Sequence, residues 1–347
     1  MKQVILTKYG PPEVLQVKDF ENPQPKPNEI RIKVHYAGIN FAEIMARMKL
    51  YPGGPKPGAV LGGEVSGVVD KIGNDIKDIE VGQNVIGLSM KGSYTSYVCL
   101  EPKSIIPIPK NFKLDEAATF PVIYITAYMM MFDLGNLQDG DTFLIHGAGG
   151  GVGTAAIQLA KTKDVKIIGT CSSWKHNRLK DMGVDKCIDY TTDDVEKEVM
   201  EYTNGKGVDL IIDPVGAKNW KISYKVLGRM GKLIIYGDQN FVKGEKLNPL
   251  VAFKELMSMP KYKPTDLMAF NKTVMGYHLG RFQGYEWKVK RSVKNLIAMI
   301  NDNDIHPIID NIFPFEKAAD AHRHIQNRKN FGKVLLDFTK AWKYLFF

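Results

Sequence analysis

Residues 142–161 read TFLIHGAGGGVGTAAIQLAK: an apolar run, a turn crowded with glycine, and an Ala-rich stretch of helical character that begins at Val152. Gly147, Gly150 and Gly153 are spaced as GxxGxxG, with Gly151 and Val152 inside the same turn. Glycine there lets backbone N–H groups approach a pyrophosphate, and the helix that follows presents its positive end to the same anion. The GxGxxG spacing fails because Val152 occupies the place of its last glycine. A glycine cluster alone reads equally well as a structural strand-to-helix turn. Its weight comes from its place as the first turn of a five-strand pattern, where it implies dinucleotide binding.

The end of the next strand selects the dinucleotide. An NAD site places Asp or Glu about twenty residues beyond the glycines, on the ribose hydroxyls. Here the sequence is Gly169-Thr170-Cys171-Ser172-Ser173-Trp174-Lys175, with no acid before Asp181. Hydroxyls at Thr170 and Ser172 and the ammonium of Lys175 suit a 2′-phosphate, and Tyr190 past the third strand adds a phenol. The expected cofactor is therefore NADPH. Lys175 also reads as an exposed lysine near a helix start. Cys171 reads either as a reactive thiol near the cofactor or as an inert buried cysteine. His146 ends the first strand and is expected to pack or cap rather than act as a base. His322 and His324, two apart in one helix, point to different faces and make a poor metal pair.

These groups need elements to position them. Residues 1 to about 120 read as short strands between turn residues: EIRIKVHYAGIN (29–40) alternates charged and apolar positions, and LGGEVSGVVDKIG (61–73), QNVIGL (83–88) and SYTSYVCL (93–100) follow. That is a β-barrel-like unit. From about 121 to 300 the strands TFLIH, VKIIGT, KCID, VDLIID and GKLIIYG alternate with helical stretches, which predicts a parallel sheet with crossover helices. The tail adds a helix at 316–326 and a strand at 332–338. Residues 247–272 interleave Leu250, Phe253, Leu256, Met257, Met259, Leu267, Met268 and Phe270 with Lys254, Lys261, Lys263 and Lys272. This spacing fits packing on the dinucleotide-binding unit or across a dimer, and it also fits an interfacial segment on an anionic membrane.

Composition narrows the classes. Forty-four per cent hydrophobic and 24% charged residues exclude a largely disordered chain. Three cysteines are too few for a disulfide framework or a four-thiolate zinc site, so a reducing, cytoplasmic compartment is expected. No run approaches eighteen apolar residues, so no membrane-spanning helix is expected. The net charge of +9 invites a polyanion, but the lysines are scattered and no run of four basic residues occurs. A solvated surface with one local anion site is expected, and no specific nucleic acid.

Together these segments resemble the zinc-free quinone oxidoreductases of the medium-chain dehydrogenase/reductase superfamily. AGINFAE (37–43), LGGEVSGVVDKIG, YITAYMMMF (124–132), HGAGGGVG (146–153), VDLIIDPVG (208–216), GKLIIYG (231–237) and NFGKVLLD (330–337) carry the likeness. AGINFAEIMAR, YITAYMMMFDLGNLQ, DYTTDD and GYHLG bring it closer to the vesicle amine transport protein subfamily. The resemblance implies a GroES-like β-barrel catalytic domain (1–122 and 301–347) and a Rossmann doubly wound parallel-sheet domain (123–300). It implies NADPH bound between them and hydride transfer to a quinone or another conjugated carbonyl, including enones and alkenals. Asn40, Tyr51 and Thr126 are implied at the reacting end, with Tyr51 a candidate proton donor or, equally, a packing aromatic. Gly216, Gly237, Gly332 and Lys333 match cofactor-facing positions, which ordinary turn chemistry also explains. Against the zinc enzymes of the superfamily, Asn40 stands where a cysteine ligand belongs and Gly62-Gly63-Glu64 lacks the histidine, so no metal is expected. The subfamily implies a homodimer and an alternative role as a membrane-associated, lipid-handling NADPH-binding protein; RNA binding finds support only in the positive charge.

Overall fold

The computed structural model describes residues 1–89 and 92–342. The chain divides into two compact units: residues 1–123 with 244–247 and the chain from Ile297 onward, and residues 124–243 with 248–296. Its elements are, in order, β1 (Lys2–Leu6), β2 (Leu15–Asp19), β3 (Ile30–Ile39), α1 (Phe41–Arg47), β4 (Glu64–Ile72), β5 (Asn84–Leu88), β6 (Tyr97–Leu100), β7 (Ile105–Ile106) and α2 (Leu114–Tyr128). There follow β8 (Thr142–His146), α3 (Gly151–Ala160), β9 (Lys166–Cys171), α4 (His176–Asp181), β10 (Lys186–Asp189), α5 (Val195–Tyr202), β11 (Val208–Asp213) and α6 (Ala217–Val226). The chain ends with β12 (Leu227–Ile235), α7 (Pro249–Met257), α8 (Pro264–Phe270), β13 (Thr273–Gly276), α9 (Glu286–Asp302), β14 (Ile309–Pro314), α10 (Ala318–Gln326) and β15 (Lys333–Asp337).

In the first unit a sheet of order β14-β15-β3-β4-β5-β7, with β6 also on β3, carries the core. β3 explains the two-residue period: Ile30, Ile32 and Val34 are buried, while Arg31, Lys33 and His35 are partly exposed. Val65, Val69, Val85 and Leu336 pack into the same cluster. β14 was not expected from the sequence. IDNIFP has no alternation, and it is held as a strand by parallel pairing to β15.

The second unit is a six-stranded sheet of order β10-β9-β8-β11-β12-β13, in which every neighbouring pair is parallel. The chain winds outward from β8 in one direction and from β11 in the other, so the strand order reverses between β8 and β11. Open sheets of this kind bind ligands outside the carboxyl ends at such a reversal. Leu144, Ile168, Ile188, Ile211 and Leu233, one from each of five strands, form its core.

Residues 114–134 form a helical stretch of 21 residues that is long and apolar enough to cross a membrane, yet 78% of its apolar window is buried inside the protein. It is a core helix. Helices α7 and α8 form in the 247–272 segment, but most of their apolar side chains stay exposed, with Val251 and Leu267 half-buried. Leu250, Phe253, Met257 and Met268 are 80%, 64%, 72% and 76% exposed.

Candidate functional site

The glycine turn sits at the carboxyl end of β8. Gly147 has φ +68, the left-handed conformation that reverses the chain after the strand. A Cβ on Gly153 would lie 2.5 Å from the carbonyl oxygens of both Gly147 and Ala148, so glycine is what lets α3 begin this close to the turn. Ala148 N–H donates to the Thr170 carbonyl at 3.1 Å and fixes the turn to β9. Gly150 caps α3 with no side-chain hydrogen bond, so the first N–H groups of the helix have no capping side chain. Gly147, Gly150, Gly151 and Val152 are half-buried and Gly153 is buried.

Behind the turn runs a chain of buried polar groups. Thr170 Oγ1 lies 3.0 Å from His146 Nδ1, and His146 Nε2 lies 3.0 Å from Ser223 Oγ. Ser223 donates to Asp213 Oδ2 at 2.6 Å, and Asn219 donates to the same oxygen at 2.8 Å. Burial holds the His146 imidazole below its ordinary pKa, with Asp213 opposing. His146 is thus a packed, neutral residue that ties the ends of β8, β9 and β11 together. The Thr170 hydroxyl serves this chain.

The ends of β9 and β10 bring two of the predicted phosphate-binding groups, Ser172 and Tyr190, together. Ser172 Oγ and Tyr190 Oη are 3.3 Å apart. Ser173–Lys175 forms a short 3-10 turn, and Lys175 is 7% exposed. The nearby acid, Asp189, faces inward: it accepts from Thr191 Oγ1 at 2.6 Å and from the N–H groups of Thr191 and Ser173 at 2.9 Å. The Thr191 hydrogen bonds lead in lowering its pKa to about 2. Cys171 is buried, and burial pushes its thiol up to about 12, which makes it inert.

Sequence reasoning missed the acids around Gly216. Gly216 has φ +136, and a Cβ there would stand 2.5 Å from both Asp238 Oδ1 and Glu255 Oε1. Glu255 on α7 accepts the Ala217 N–H at 2.5 Å and so caps α6. Among the described residues neither buried oxygen of Asp238 has a hydrogen-bond partner. Burial, then Glu255 and Asp213, push Asp238 up to about 7. Gly237 packs against Pro214, where a Cβ would meet 3.3 Å contacts.

In the first unit, Asn40 and Lys333 meet at Glu64. Asn40 Nδ2 donates to Glu64 Oε1 at 2.9 Å, and Lys333 Nζ donates to Glu64 Oε1 and to Asn40 Oδ1, each at 2.5 Å. Glu64 Oε2 accepts the Val122 N–H at 2.7 Å. Glu43 closes a capping box by accepting the Asn40 N–H at 2.7 Å, and burial raises it to about 7. Glu43 carried no sequence signal beyond its type, and Glu64 was marked only as the acid of the Gly62-Gly63-Glu64 segment. Gly332 has φ +97, and a Cβ there would strike the Ile308 carbonyl at 2.4 Å, so the turn itself requires glycine. Tyr51 is half-buried against the first unit's core. Thr126 lies in the second unit, is buried, and shares a hydrogen bond with Tyr277. His322 reaches Tyr94 at 3.1 Å and His324 reaches Asp310 at 2.7 Å, on separate sides of α10. Among the described residues no group of three or more His, Cys, Asp or Glu is placed to hold a metal ion.

Known proteins resemble this chain. Residues 26–110 match the alcohol dehydrogenase GroES-like domain and residues 182–336 the family described as zinc-binding dehydrogenase. The synaptic vesicle membrane protein VAT-1 homolog of Rattus norvegicus is 38% identical over 97% of this chain and 84% of its own length. A quinone oxidoreductase of Pseudomonas aeruginosa is 29% identical over 96% of this chain and 99% of its own. The Escherichia coli quinone oxidoreductase solved as its NADPH complex superposes with a TM-score of 0.85 at 26% identity, covering 97% of this chain and all of the other. With its GroES-like unit, its Rossmann unit and this degree of identity, the chain belongs to the medium-chain dehydrogenase/reductase oxidoreductases, in the group that holds the VAT-1 homologues and the quinone oxidoreductases.

Proposed function

We propose that this chain is an NADPH-dependent reductase that delivers hydride to quinones or related conjugated carbonyls without a metal ion. The observation that carries the reading is the pairing of the Ser172 and Tyr190 hydroxyls at the strand ends that also lead to Lys175, with Asp189 turned away and spent on Thr191 and Ser173. Two hydroxyls and an ammonium match a 2′-phosphate dianion; an outward-facing carboxylate would repel it. The uncapped first turn of α3 fits a pyrophosphate, whose charge its N–H groups stabilise. When bound, the nicotinamide supplies the hydride. Gly216, Gly237, Gly332 and Lys333 are proposed around the cofactor, and Asn40, Tyr51 and Thr126 as the residues that act on the acceptor. Asn40 is held rigidly by Glu64 and Lys333, which suits orienting rather than proton transfer. Tyr51 is the proposed proton donor to the acceptor oxygen. The E. coli relative was solved with NADPH, in line with this choice.

Calorimetric titration should show NADPH bound at least about tenfold tighter than NADH, with Lys175→Ala removing most of the difference, the worth of one charge-assisted contact. NADPH oxidation followed in parallel with phenanthrenequinone and with a simple enone separates the two acceptor classes. Equal affinities for the two cofactors, or no oxidation with either acceptor, would overturn the reading.

A second reading rests on the exposed apolar face of α7 and α8. In it the chain is a cytoplasmic NADPH-binding protein with little turnover that touches an anionic membrane through Met257, Met268 and their neighbouring lysines. A homodimer covering the same face is the competing arrangement.

A further inference from the structure

We infer that Trp174 is a positioning residue for cofactor specificity, its indole holding the Lys175 ammonium where a ribose 2′-phosphate meets it. The inference rests on the NADPH reading above. Trp174 and Lys175 share the 3-10 turn at the carboxyl end of β9. That turn is fixed at one end by the Ser173 N–H, which donates to Asp189 Oδ2 at 2.9 Å, and is closed by Lys175 N–H donating to the Ser172 carbonyl at 3.0 Å. Within it, Lys175 Nζ lies 5.0 Å from the centroid of the Trp174 ring. An ammonium at that distance is attracted by the negative face of the indole.

The exposures of the two residues run against type. Lys175 is 7% exposed and Trp174 is 53% exposed. Lysine is among the residues least often buried, and a large indole left in solvent fills no core. The burial of Trp174 therefore explains little of its presence, whereas the cation over its ring gives it a purpose. A lysine stem already held in one conformation loses less freedom when it meets a phosphate, so a phosphate-bearing cofactor binds more tightly and one without the phosphate gains nothing. Ser172 and Tyr190, 3.3 Å apart on the neighbouring strand ends, offer the remaining hydrogen bonds.

The test measures dissociation constants for NADPH, NADH, 2′,5′-ADP and 5′-ADP on the full chain and its Trp174→Ala, Trp174→Phe and Lys175→Ala variants, by calorimetry. Trp174→Ala should weaken NADPH and 2′,5′-ADP about three- to tenfold and leave NADH and 5′-ADP within about twofold, and Trp174→Phe should restore most of the loss. Adding Trp174→Ala to Lys175→Ala should cost nothing further, because the indole acts through the lysine. Should Trp174→Ala fail to fold, Trp174→Leu carries the same expectation. Equal weakening of ligands with and without the phosphate would make the indole an adenine platform and overturn the inference, as would an unchanged ratio. A wild type without NADPH preference sinks the cofactor reading itself. A wild-type preference abolished by Lys175→Ala but untouched by Trp174→Ala sinks the inference alone.

Discussion

Asp238 carries a carboxyl whose two oxygens are buried and without partners among the described residues, with Glu255 Oε1 no more than 5 Å from its Oδ1 by their shared distance to the position of a Gly216 Cβ. Burial and the acids facing it, Glu255 on α7 and Asp213 on β11, raise it to about 7, against about 3.9 in an unfolded chain. The sign is opposite to that of a salt-bridged acid. Between about pH 4 and pH 7 the unfolded chain has lost this proton and the folded one keeps it, so stability falls as pH rises through that window and levels off above it. Screening of a partly exposed residue leaves about 1–2 kcal/mol of this effect. Asp238→Asn, neutral at every pH, should raise the melting temperature at pH 8 by about 2–6 °C and change it little at pH 4. A gap of equal size at both pH values would show that the variant works through packing and not through the proton.

At the scale of elements, what the sequence made legible was whatever is written locally. β8 to β12 each show as a short apolar run bounded by Gly, Asn or Asp, and the Gly147–Gly153 turn shows in its own spacing. β13, only four residues, and β14, with no alternation, take their conformation from the strands beside them and left no pattern to read. Helices α7 and α8 are a different case: their apolar spacing was visible, but spacing cannot say what covers it. The structure leaves Leu250, Phe253, Met257 and Met268 uncovered within the chain, while the acid among them, Glu255, turns inward to cap α6. Lys254, Lys261 and Lys263 lie exposed along the same segment, whereas Lys272 donates to the Tyr224 carbonyl, and each lysine near an anionic surface adds on the order of 1 kcal/mol. The protein should co-sediment with phosphatidylserine vesicles at low salt and release at high salt. Met257→Asp with Met268→Asp should abolish the binding and leave NADPH affinity alone. If vesicles are ignored and the double variant instead dissociates a dimer in sedimentation, the face belongs to a second copy of the chain.

Across the whole molecule, the first unit closes on a contact that no local reading could find: Asn40 and Glu64 are 24 residues apart, and Lys333 joins them from 293 residues beyond Asn40. The three were legible singly, as positions of the resemblance; their union was not, because only the pairing of β15 with β3 brings Lys333 to them. That union bears on the metal. The family matched by residues 182–336 is described as zinc-binding, yet here the carboxylate at the ligand end of β4 accepts an ammonium at 2.5 Å. A divalent cation would have to displace Lys333 from Glu64 or sit beside it against like charge. The remaining donors, the carboxylates of Glu64 and Glu43 and the Asn40 amide oxygen, lack the thiolate and imidazole groups that hold zinc. Elemental analysis of the purified protein should find no stoichiometric zinc, and a chelator should change neither the melting temperature nor NADPH affinity. One zinc per chain would mean that Lys333 gives way in solution and that the acceptor is polarised by a Lewis acid; short of that, the ammonium buried between Glu64 and Asn40 is the charge the unit is built around.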